Sequence, residues 1–302
     1  MDFQENFIKS IRLYFKEEGE VWLKKLPELI RYSEEKWKLK LNQPYLLSVN
    51  YVAPAVMESG EEVVVKICFS SEGFMDELEA MNTFEDGMAK LLDWDDVHHI
   101  FLLAKLSPGH TLAEIEDDEE ACKIAADVMK KLSKPPSPNT RIKTTKAREE
   151  ALHKIMTEHP DGLGPITSGM LEKALNIFSY LHKTPQDYYL LHGDFHHYNI
   201  LSSGEGEWIA IDPKGLIGER EYDLIQYLLN KLPNKGVYEI ISKRVEILTK
   251  ELYLIEKRLL LWGYCHTVLA TAWSVDDHGV FDLAFFNGIE VFERMFEERF
   301  VL

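Results

Sequence analysis

The spacing of apolar positions changes along this chain, and each change predicts a different kind of element. Residues 3–38 alternate apolar and charged side chains at helical spacing, which predicts two amphipathic helices, with Pro27 where a new helix can begin. From Pro44 onward the apolar residues are spaced as in β-strands, and a turn of glycine, serine and glutamate separates two of the runs. Three antiparallel strands are therefore expected, at residues 45–50, 51–57 and 62–69.

A second group of elements follows these strands. Residues 72–84 have helical spacing, and two further apolar runs, at 91–94 and 99–104, predict strands that complete a five-stranded antiparallel sheet. The pattern breaks after residue 104, and mainly helical spacing follows, with helices expected over residues 121–132, 145–159, 167–182, 222–231, 237–252, 256–274 and 281–300. The sequence thus predicts an α+β protein with two lobes, residues 1–104 and residues 105–302.

Composition narrows the classes of protein that fit. The 302 residues are 45% hydrophobic, which suffices for about two domains with cores of their own. A formal net charge of −17 argues against nucleic acid or anionic membrane as a partner and would suit a cationic one, although acidity also promotes solubility. The chain has no apolar run long enough to span a bilayer and no signal-peptide pattern, so a cytoplasmic protein is expected. Three distant cysteines predict neither a disulfide framework nor a zinc ribbon.

The stretch at residues 190–218 carries the candidate chemistry. An apolar pair leads into the polar loop His-Gly-Asp-Phe-His-His-Tyr-Asn, and a short hairpin then leads to a second aspartate. Asp194, Asn199 and Asp212 are thereby expected at the ends of short strands, where oxygen ligands suit Mg²⁺ and a phosphoryl group. Asp194 is the candidate base for an attacking hydroxyl, and Asn199 and Asp212 are the candidate metal ligands.

A single lysine in the third predicted strand is the candidate cation for the phosphates. Lys66 interrupts a β-branched run, so its long stem can cross the apolar sheet and present the ammonium at one end. Glu77, near the middle of the following helix, is the candidate ion-pair partner that would hold it straight. Most lysines in strands face solvent, so this assignment depends on the rest of the site.

The motifs around the polar loop resemble those of a known family. They are His-Gly-Asp-x-His-x-x-Asn at residues 192–199, Asp-Pro-Lys-Gly at 212–215 and Gly-Glu-Arg-Glu-Tyr-Asp-Leu at 218–224. This set is similar to that of the aminoglycoside phosphotransferases, and within them to the streptomycin 6-phosphotransferase and hydroxyurea-resistance kinase group. The N-terminal part is also similar, in its opening helices and in the run Tyr-Val-Ala-Pro-Ala at residues 51–55.

The resemblance implies a two-lobed, protein-kinase-like fold whose first lobe binds ATP or GTP. It implies the same roles for the five candidates: Asp194 as the catalytic aspartate, Asn199 and Asp212 as Mg²⁺ ligands, Lys66 on the phosphates and Glu77 as its partner. It also implies structural roles for two residues of the motif set. His192 would orient the loop, and Asp223 would be a buried acceptor for the loop's backbone.

Two departures from the family pattern affect the nucleotide site. The first predicted hairpin, at residues 46–51, has no glycine, so Ser48 and Asn50 are the candidates to donate hydrogen bonds to phosphates instead. Pro213 and Lys214 follow Asp212, and Lys214 either helps to bind phosphate or points into solvent. The base would be read mainly by the backbone around Ala104 to Leu106, which does not distinguish ATP from GTP.

The acceptor is the least determined part of the prediction. A cationic aminoglycoside such as streptomycin would be attracted to carboxylates of the second lobe, for which the candidates are Glu219, Glu221, Asp276 and Asp277. A kinase of another small alcohol, such as choline, homoserine or a sugar, is the first alternative, and a catalytically silent nucleotide-binding protein is the second. A zinc site formed by His192, Asp194, His196 and His197 is a third, but it leaves Asn199, Asp212 and Lys66 without roles.

Overall fold

The computed structural model of the protein describes residues 3–204, 206–276 and 278–301. The α-helices are α1 (Glu5–Trp37), α2 (Ser71–Thr83), α3 (Asp118–Leu132), α4 (Lys146–Glu158), α5 (Ser168–Lys183), α6 (Arg220–Asp223), α7 (Ile225–Leu229), α8 (Val237–Leu252), α9 (Glu256–Ser274) and α10 (Leu283–Phe300). The strands are β1 (Leu39–Leu41), β2 (Tyr51–Met57), β3 (Glu62–Ile67), β4 (Leu91–Asp95), β5 (Ile100–Ala104), β6 (Gly162–Leu163), β7 (Ile166–Thr167), β8 (Tyr189–Leu191), β9 (Ile200–Ser202), β10 (Trp208–Ala210) and β11 (Leu216–Gly218).

The N-terminal helical region is broken in two, as predicted, but not at the expected residue. The break is at Lys16, whose φ of 48° and ψ of −123° are not helical, whereas Pro27 lies inside the second segment. The two segments pack closely across the break, since a Cβ atom on Gly19 would lie 2.7 Å from the carbonyl oxygen of Ile11. Leu26, before the proline, and Ile30, beyond it, are both buried, and the helix continues through Pro27.

The predicted five-stranded antiparallel sheet is confirmed, and its strands lie in the order β1-β2-β3-β5-β4. Its first strand is Leu39–Leu41, however, and the expected strand at residues 45–50 was wrong, because these residues form bends. Backbone N–H groups of this segment donate to residues outside it: Leu47 N–H to Gln4 Oε1 (3.0 Å) and Tyr45 N–H to Val52 O (3.1 Å). The alternating apolar pattern of residues 45–50 therefore does not correspond to a β-strand.

The chain forms two compact units, which we describe separately. The first comprises Met1–Gly109 and Ser202–Glu207, and the second comprises His110–Leu201 and Trp208–Leu302. In the first unit, α1 packs on one face of the sheet, and the core between them is fully buried at Phe7, Leu26, Val65 and Ile100. Helix α2 contacts the sheet through Phe74, whose ring stacks on that of Phe101 in β5 with the ring centroids 4.3 Å apart.

The second unit is mainly helical, as predicted. Helices α8 and α9 have the predicted bounds, whereas the helix expected at residues 222–231 is divided into α6 and α7. Helix α9 is buried along most of its length and packs against α5 and α10. Among the described residues, none of the helices combines the length and the apolarity that a membrane span requires.

Candidate active site

The polar loop begins and ends on one pair of strands in the second unit. Strand β8 pairs antiparallel with β11, with Leu190 opposite Ile217, so residue 192 leaves the pair beside the point where residue 215 returns. The main chain joins both sides, because Lys214 N–H donates to His192 O at 2.7 Å. The main chain at residue 193 passes close to Lys214, and this requires glycine. The φ of Gly193 is +80°, and a Cβ atom there would lie 3.3 Å from Cβ of Lys214.

Asp223 holds the start of the loop. Its two carboxylate oxygens accept hydrogen bonds from the N–H groups of His192 and Gly193, each at 2.7 Å. The residue is buried, and burial raises the pKa of this carboxyl to about 7, although the two backbone donors favour its charged form. The predicted role of Asp223 as a buried acceptor for the loop's backbone is therefore confirmed.

His192 connects the loop to the strand that precedes the second aspartate. Its Nε2 donates to Ile211 O at 2.8 Å, and its Nδ1 accepts the N–H of Asp194 at 3.3 Å. Burial lowers the pKa of this imidazole to about 3, so the neutral tautomer with a proton on Nε2 fits both hydrogen bonds. His192 thereby fixes the main chain at Asp194 and beside Asp212, which agrees with the orienting role predicted for it.

The candidate catalytic carboxylate and the candidate amide ligand are in direct contact. Asn199 Nδ2 donates to the main-chain oxygen of Asp194 at 3.0 Å, and Ile211 N–H donates to Asn199 O at 2.9 Å. His196 Nε2 lies 3.6 Å from Asp194 Oδ1. Burial raises the pKa of the Asp194 carboxyl, whereas the charges of His196 and Lys214 lower it. The side chain of Asp194 keeps 25% of its surface exposed, and its Oδ2 lies 3.4 Å from Asn199 Nδ2.

The donor set at this loop suits a hard divalent cation. The amide nitrogen of Asn199 is used on Asp194, which leaves its Oδ1 as the candidate ligand atom, and the residue before Asp212 is bonded to the main chain of Asn199. Asp212 has a left-handed φ of 59°, and its Oδ2 is 2.8 Å from the ammonium of Lys214. Because carboxylate and amide oxygens are ligands that Mg²⁺ prefers, these residues fit the ion that the sequence predicts.

The histidines of the loop do not form the alternative zinc site. His197 is buried and stacks on the ring of Tyr227, with centroids 4.1 Å apart, and His192 is bonded to the backbone on both nitrogens. In the part of the chain that the structure describes, no group of three or more histidine, cysteine, aspartate or glutamate side chains could hold a metal ion.

In the first unit, the predicted ion pair is formed. Lys66 Nζ lies 2.6 Å from both carboxylate oxygens of Glu77, and both side chains are buried. The ammonium also lies 5.9 Å from the centre of the Phe101 ring. Strand β3 and helix α2 together hold this cation, as its assignment requires.

The other predicted nucleotide contacts are placed less favourably. Ser48 is exposed in the bent segment, and Asn50 Oδ1 accepts the N–H of Phe69 at 3.1 Å. Ala104 N–H already donates to Lys90 O at 2.9 Å, and Leu106 is half-buried in the segment after β5. The N–H of Ala104 is thus used within the first unit.

The structure corrects the expected acceptor contact at Glu219. Its carboxylate is buried and receives hydrogen bonds from Arg258 (2.6 and 2.7 Å), Trp262 Nε1 (2.8 Å) and Gln186 N–H (3.0 Å). Glu221 is also buried and accepts the N–H of Ile255 at 3.0 Å. These partners hold helices together and leave neither side chain facing solvent.

Of the other two carboxylates predicted to contact the acceptor, the structure describes only one. Asp276 is exposed, and its Oδ1 accepts the N–H groups of His278 (2.8 Å) and Val280 (2.9 Å). Asp277 lies outside the described residues.

A cavity of about 670 Å³ opens elsewhere on the second unit, between α5, α9 and α10. Its lining includes Lys173, Tyr180, Leu260, Tyr264, Phe292 and Phe296. None of the predicted site residues lines it, so the chemistry is assigned from the loop and not from this cavity.

Comparison with solved structures identifies the fold. The fold is similar to that of an aminoglycoside phosphotransferase in a ternary complex with ADP and hygromycin B, with a TM-score of 0.65 and 12% identity over 90% of this chain and 99% of that one. It is also similar to the choline kinase LicA from Streptococcus pneumoniae, with a TM-score of 0.64 and 13% identity over 90% of this chain and 99% of that one. The predicted protein-kinase-like fold is confirmed.

Sequence comparison then gives the family. The chain belongs to the aminoglycoside/hydroxyurea antibiotic resistance kinase family, whose sequence model matches residues 45–278. A relative from Streptomyces glaucescens, streptomycin 6-kinase, is 25% identical over 287 residues, which are 92% of each chain. The predicted family and the prediction of a small-molecule kinase are confirmed.

Sequence reasoning missed two features of the site. The ion pair between Lys214 and Asp212 was not expected, because only phosphate binding and solvent exposure were considered for Lys214, although the motif Asp-Pro-Lys-Gly already placed the two residues two positions apart. The partners of Glu219 lie 39 and 43 residues away on α9, and no local signal connects them to it.

Proposed function

We propose that the protein transfers the γ-phosphoryl group of a nucleoside triphosphate to a hydroxyl of a cationic small molecule, with a streptomycin-like aminoglycoside as the first candidate. The observation that carries this proposal is the placement of Asp194. Its carboxylate is partly exposed and lies in a loop that Asp223, His192 and Asn199 fix by hydrogen bonds. Preorganised groups of this kind account for most of the catalysis that phosphoryl transfer needs.

Asp194 orients the acceptor hydroxyl and accepts its proton. For this it must be ionised before the reaction, and the adjacent Lys214 and His196 favour that form against the effect of burial. Asn199 and Asp212 hold Mg²⁺, which supplies charge neutralisation at the phosphate oxygens when it is bound.

Lys66 binds the non-transferring phosphates. Two hydrogen bonds to Glu77 fix its ammonium in one position, and an oriented cation costs less reorganisation when the nucleotide binds. Ser48, Asn50 and the backbone near Ala104 and Leu106 are the candidate contacts for the rest of the nucleotide, which is ATP or GTP.

A cationic acceptor is supported by the charge of the protein and by its relatives. The net charge of −17 attracts cations at long range. The side chain of Asp276 is exposed in the second unit, and a guanidinium group of the acceptor would pair with its carboxylate. The relative from Streptomyces glaucescens is a streptomycin 6-kinase, which makes streptomycin the first acceptor to test.

A coupled assay of ADP and GDP release tests the proposal. The protein is supplied with Mg²⁺, with ATP or GTP, and in turn with streptomycin, hygromycin B, choline, homoserine and simple sugars. We expect acceptor-dependent release with an aminoglycoside in the wild-type protein and none in Asp194→Asn. Release with another alcohol alone would contradict the acceptor class, and no acceptor-dependent release would contradict phosphoryl transfer itself.

A further inference from the structure

Lys214 forms an ion pair that the proposed function, which uses only its charge near Asp194, does not explain. It follows Asp212 by two residues, and its ammonium lies 2.8 Å from Oδ2 of that carboxylate. The two side chains are 41% and 31% exposed, so the pair lies at the surface of the loop and not in the core.

The lysine is held in place by more than the ion pair. Its N–H donates to His192 O at 2.7 Å, and its Cβ lies against Gly193, where an added Cβ atom would be 3.3 Å away. The left-handed φ of Asp212 (59°) and that of Gly215 (69°) bend the chain on either side. A solvated surface lysine loses side-chain entropy when it pairs, which makes most such pairs weak. Here the fixed main chain sets where the side chain begins, and the carboxylate of Asp212, two residues away, is within reach of its ammonium.

Lys214 also acts on the second carboxylate of the site. It lowers the pKa of the Asp194 carboxyl, against the larger, raising effect of burial, and the negative charge of Asp212 also raises that pKa. The ammonium of Lys214 therefore offsets part of the repulsion between the negative charges of Asp194 and Asp212.

We propose that Lys214 is the resident counter-ion of Asp212, and that it competes with a divalent cation for this carboxylate. This inference rests on the proposed function, because it takes Asp212 as a metal ligand. A cation that arrives alone must displace the ammonium and therefore binds weakly. A cation that arrives on nucleotide phosphates brings new partners for the displaced ammonium, so metal and nucleotide bind together.

Binding of Mn²⁺ to the nucleotide-free protein tests the inference without any measurement of activity. Free Mn²⁺ is followed by electron paramagnetic resonance in wild-type protein, Lys214→Met, Lys214→Arg and Lys130→Met. Lys130 is the matched control, since it is a partly exposed lysine of the same unit paired with Asp127 at 3.0 Å. We expect Lys214→Met to bind Mn²⁺ roughly tenfold more tightly than wild type, because the competing charge is gone. Lys214→Arg and Lys130→Met should bind as wild type does.

Two outcomes would overturn the inference, and they are distinguishable. If Lys214→Met binds Mn²⁺ no more tightly than wild type, including the case that neither binds measurably, the lysine is not a competitor, and the proposed function stands. If the double variant Lys214→Met, Asp212→Asn keeps the tight binding of Lys214→Met, then Asp212 is not the ligand. That second result would also contradict the metal assignment of the proposed function.

Discussion

Asp194 and Glu219 lie within one short stretch of the sequence and use their carboxylates in opposite ways. Asp194 is held through its main chain by His192 and Asn199, and its side chain keeps exposed oxygens. Glu219 is held through its carboxylate by Arg258 and Trp262 and is buried. The carboxylate of Asp194 is thus partly accessible on a fixed backbone, whereas internal donors occupy the carboxylate of Glu219.

The largest effect is expected for Asp194→Asn. The amide keeps the shape of the side chain but cannot accept a proton, so kcat should fall roughly a thousandfold or more. The free energy of unfolding should change little, because the loop is held by its main chain. Steady-state assays and urea denaturation measure the two quantities, and near-normal turnover would remove Asp194 from the mechanism.

The opposite result is expected for Glu219→Gln. Removal of one charge leaves the Arg258 guanidinium buried without its counter-ion, which should lower the free energy of unfolding by about 3 kcal/mol. At a temperature where the variant is folded, KM for the acceptor should stay close to the wild-type value. Asp276→Asn is the control for stability, since its side chain is exposed and the amide oxygen can still accept the two backbone N–H groups. Because Asp276 is the proposed acceptor contact, this variant should instead raise KM for a cationic acceptor. A variant of Glu219 with normal stability but a raised acceptor KM would restore its expected role as an acceptor contact.

A smaller effect concerns His266, a buried group near the structural carboxylates. Its Nδ1 lies 3.0 Å from the hydroxyl of Tyr222, and burial, with a smaller contribution from Arg148, lowers its pKa from 6.5 to about 3. The unfolded chain therefore binds a proton between pH 6.5 and 3 that the folded one does not. Stability from this residue is fully present above pH 6.5 and is lost as the pH falls toward 3.

His266→Phe should remove this contribution. The slope of unfolding free energy against pH in the acid range should become flatter by up to about 1.4 kcal/mol per pH unit. Urea denaturation at several pH values measures the slope. The part of the slope that remains in the variant should come from His192 and His197, whose pKa values are also lowered to about 3. An unchanged slope would mean that His266 is accessible to protons in the folded protein.

The sequence predicted the loop well because its determinants are local. The spacing from His192 to Asn199 and the following hairpin bring the site residues together through a few neighbouring turns. Lys66 and Glu77 are likewise eleven residues apart on adjacent elements.

The errors come from contacts between residues that are distant in the sequence. Residues 45–50 alternate like a strand, but Gln4, more than forty residues away, binds their backbone on both sides of Leu46, through Tyr45 O and Leu47 N–H. Strand β1 is only three residues long and carries too little pattern to be recognised. Glu219 has the sequence context of an exposed acid, and only packing against α9 shows that its charge is neutralised internally.

Mass spectrometry of the acceptor tests the central claim most directly. Streptomycin is incubated with ATP, Mg²⁺ and either wild-type protein, Asp194→Asn or Glu219→Gln, and the products are weighed. We predict a product heavier by one phosphoryl group with the wild type and with folded Glu219→Gln, and no such product with Asp194→Asn at equal protein concentration. Formation of the phosphorylated product by Asp194→Asn at the wild-type rate would contradict the account.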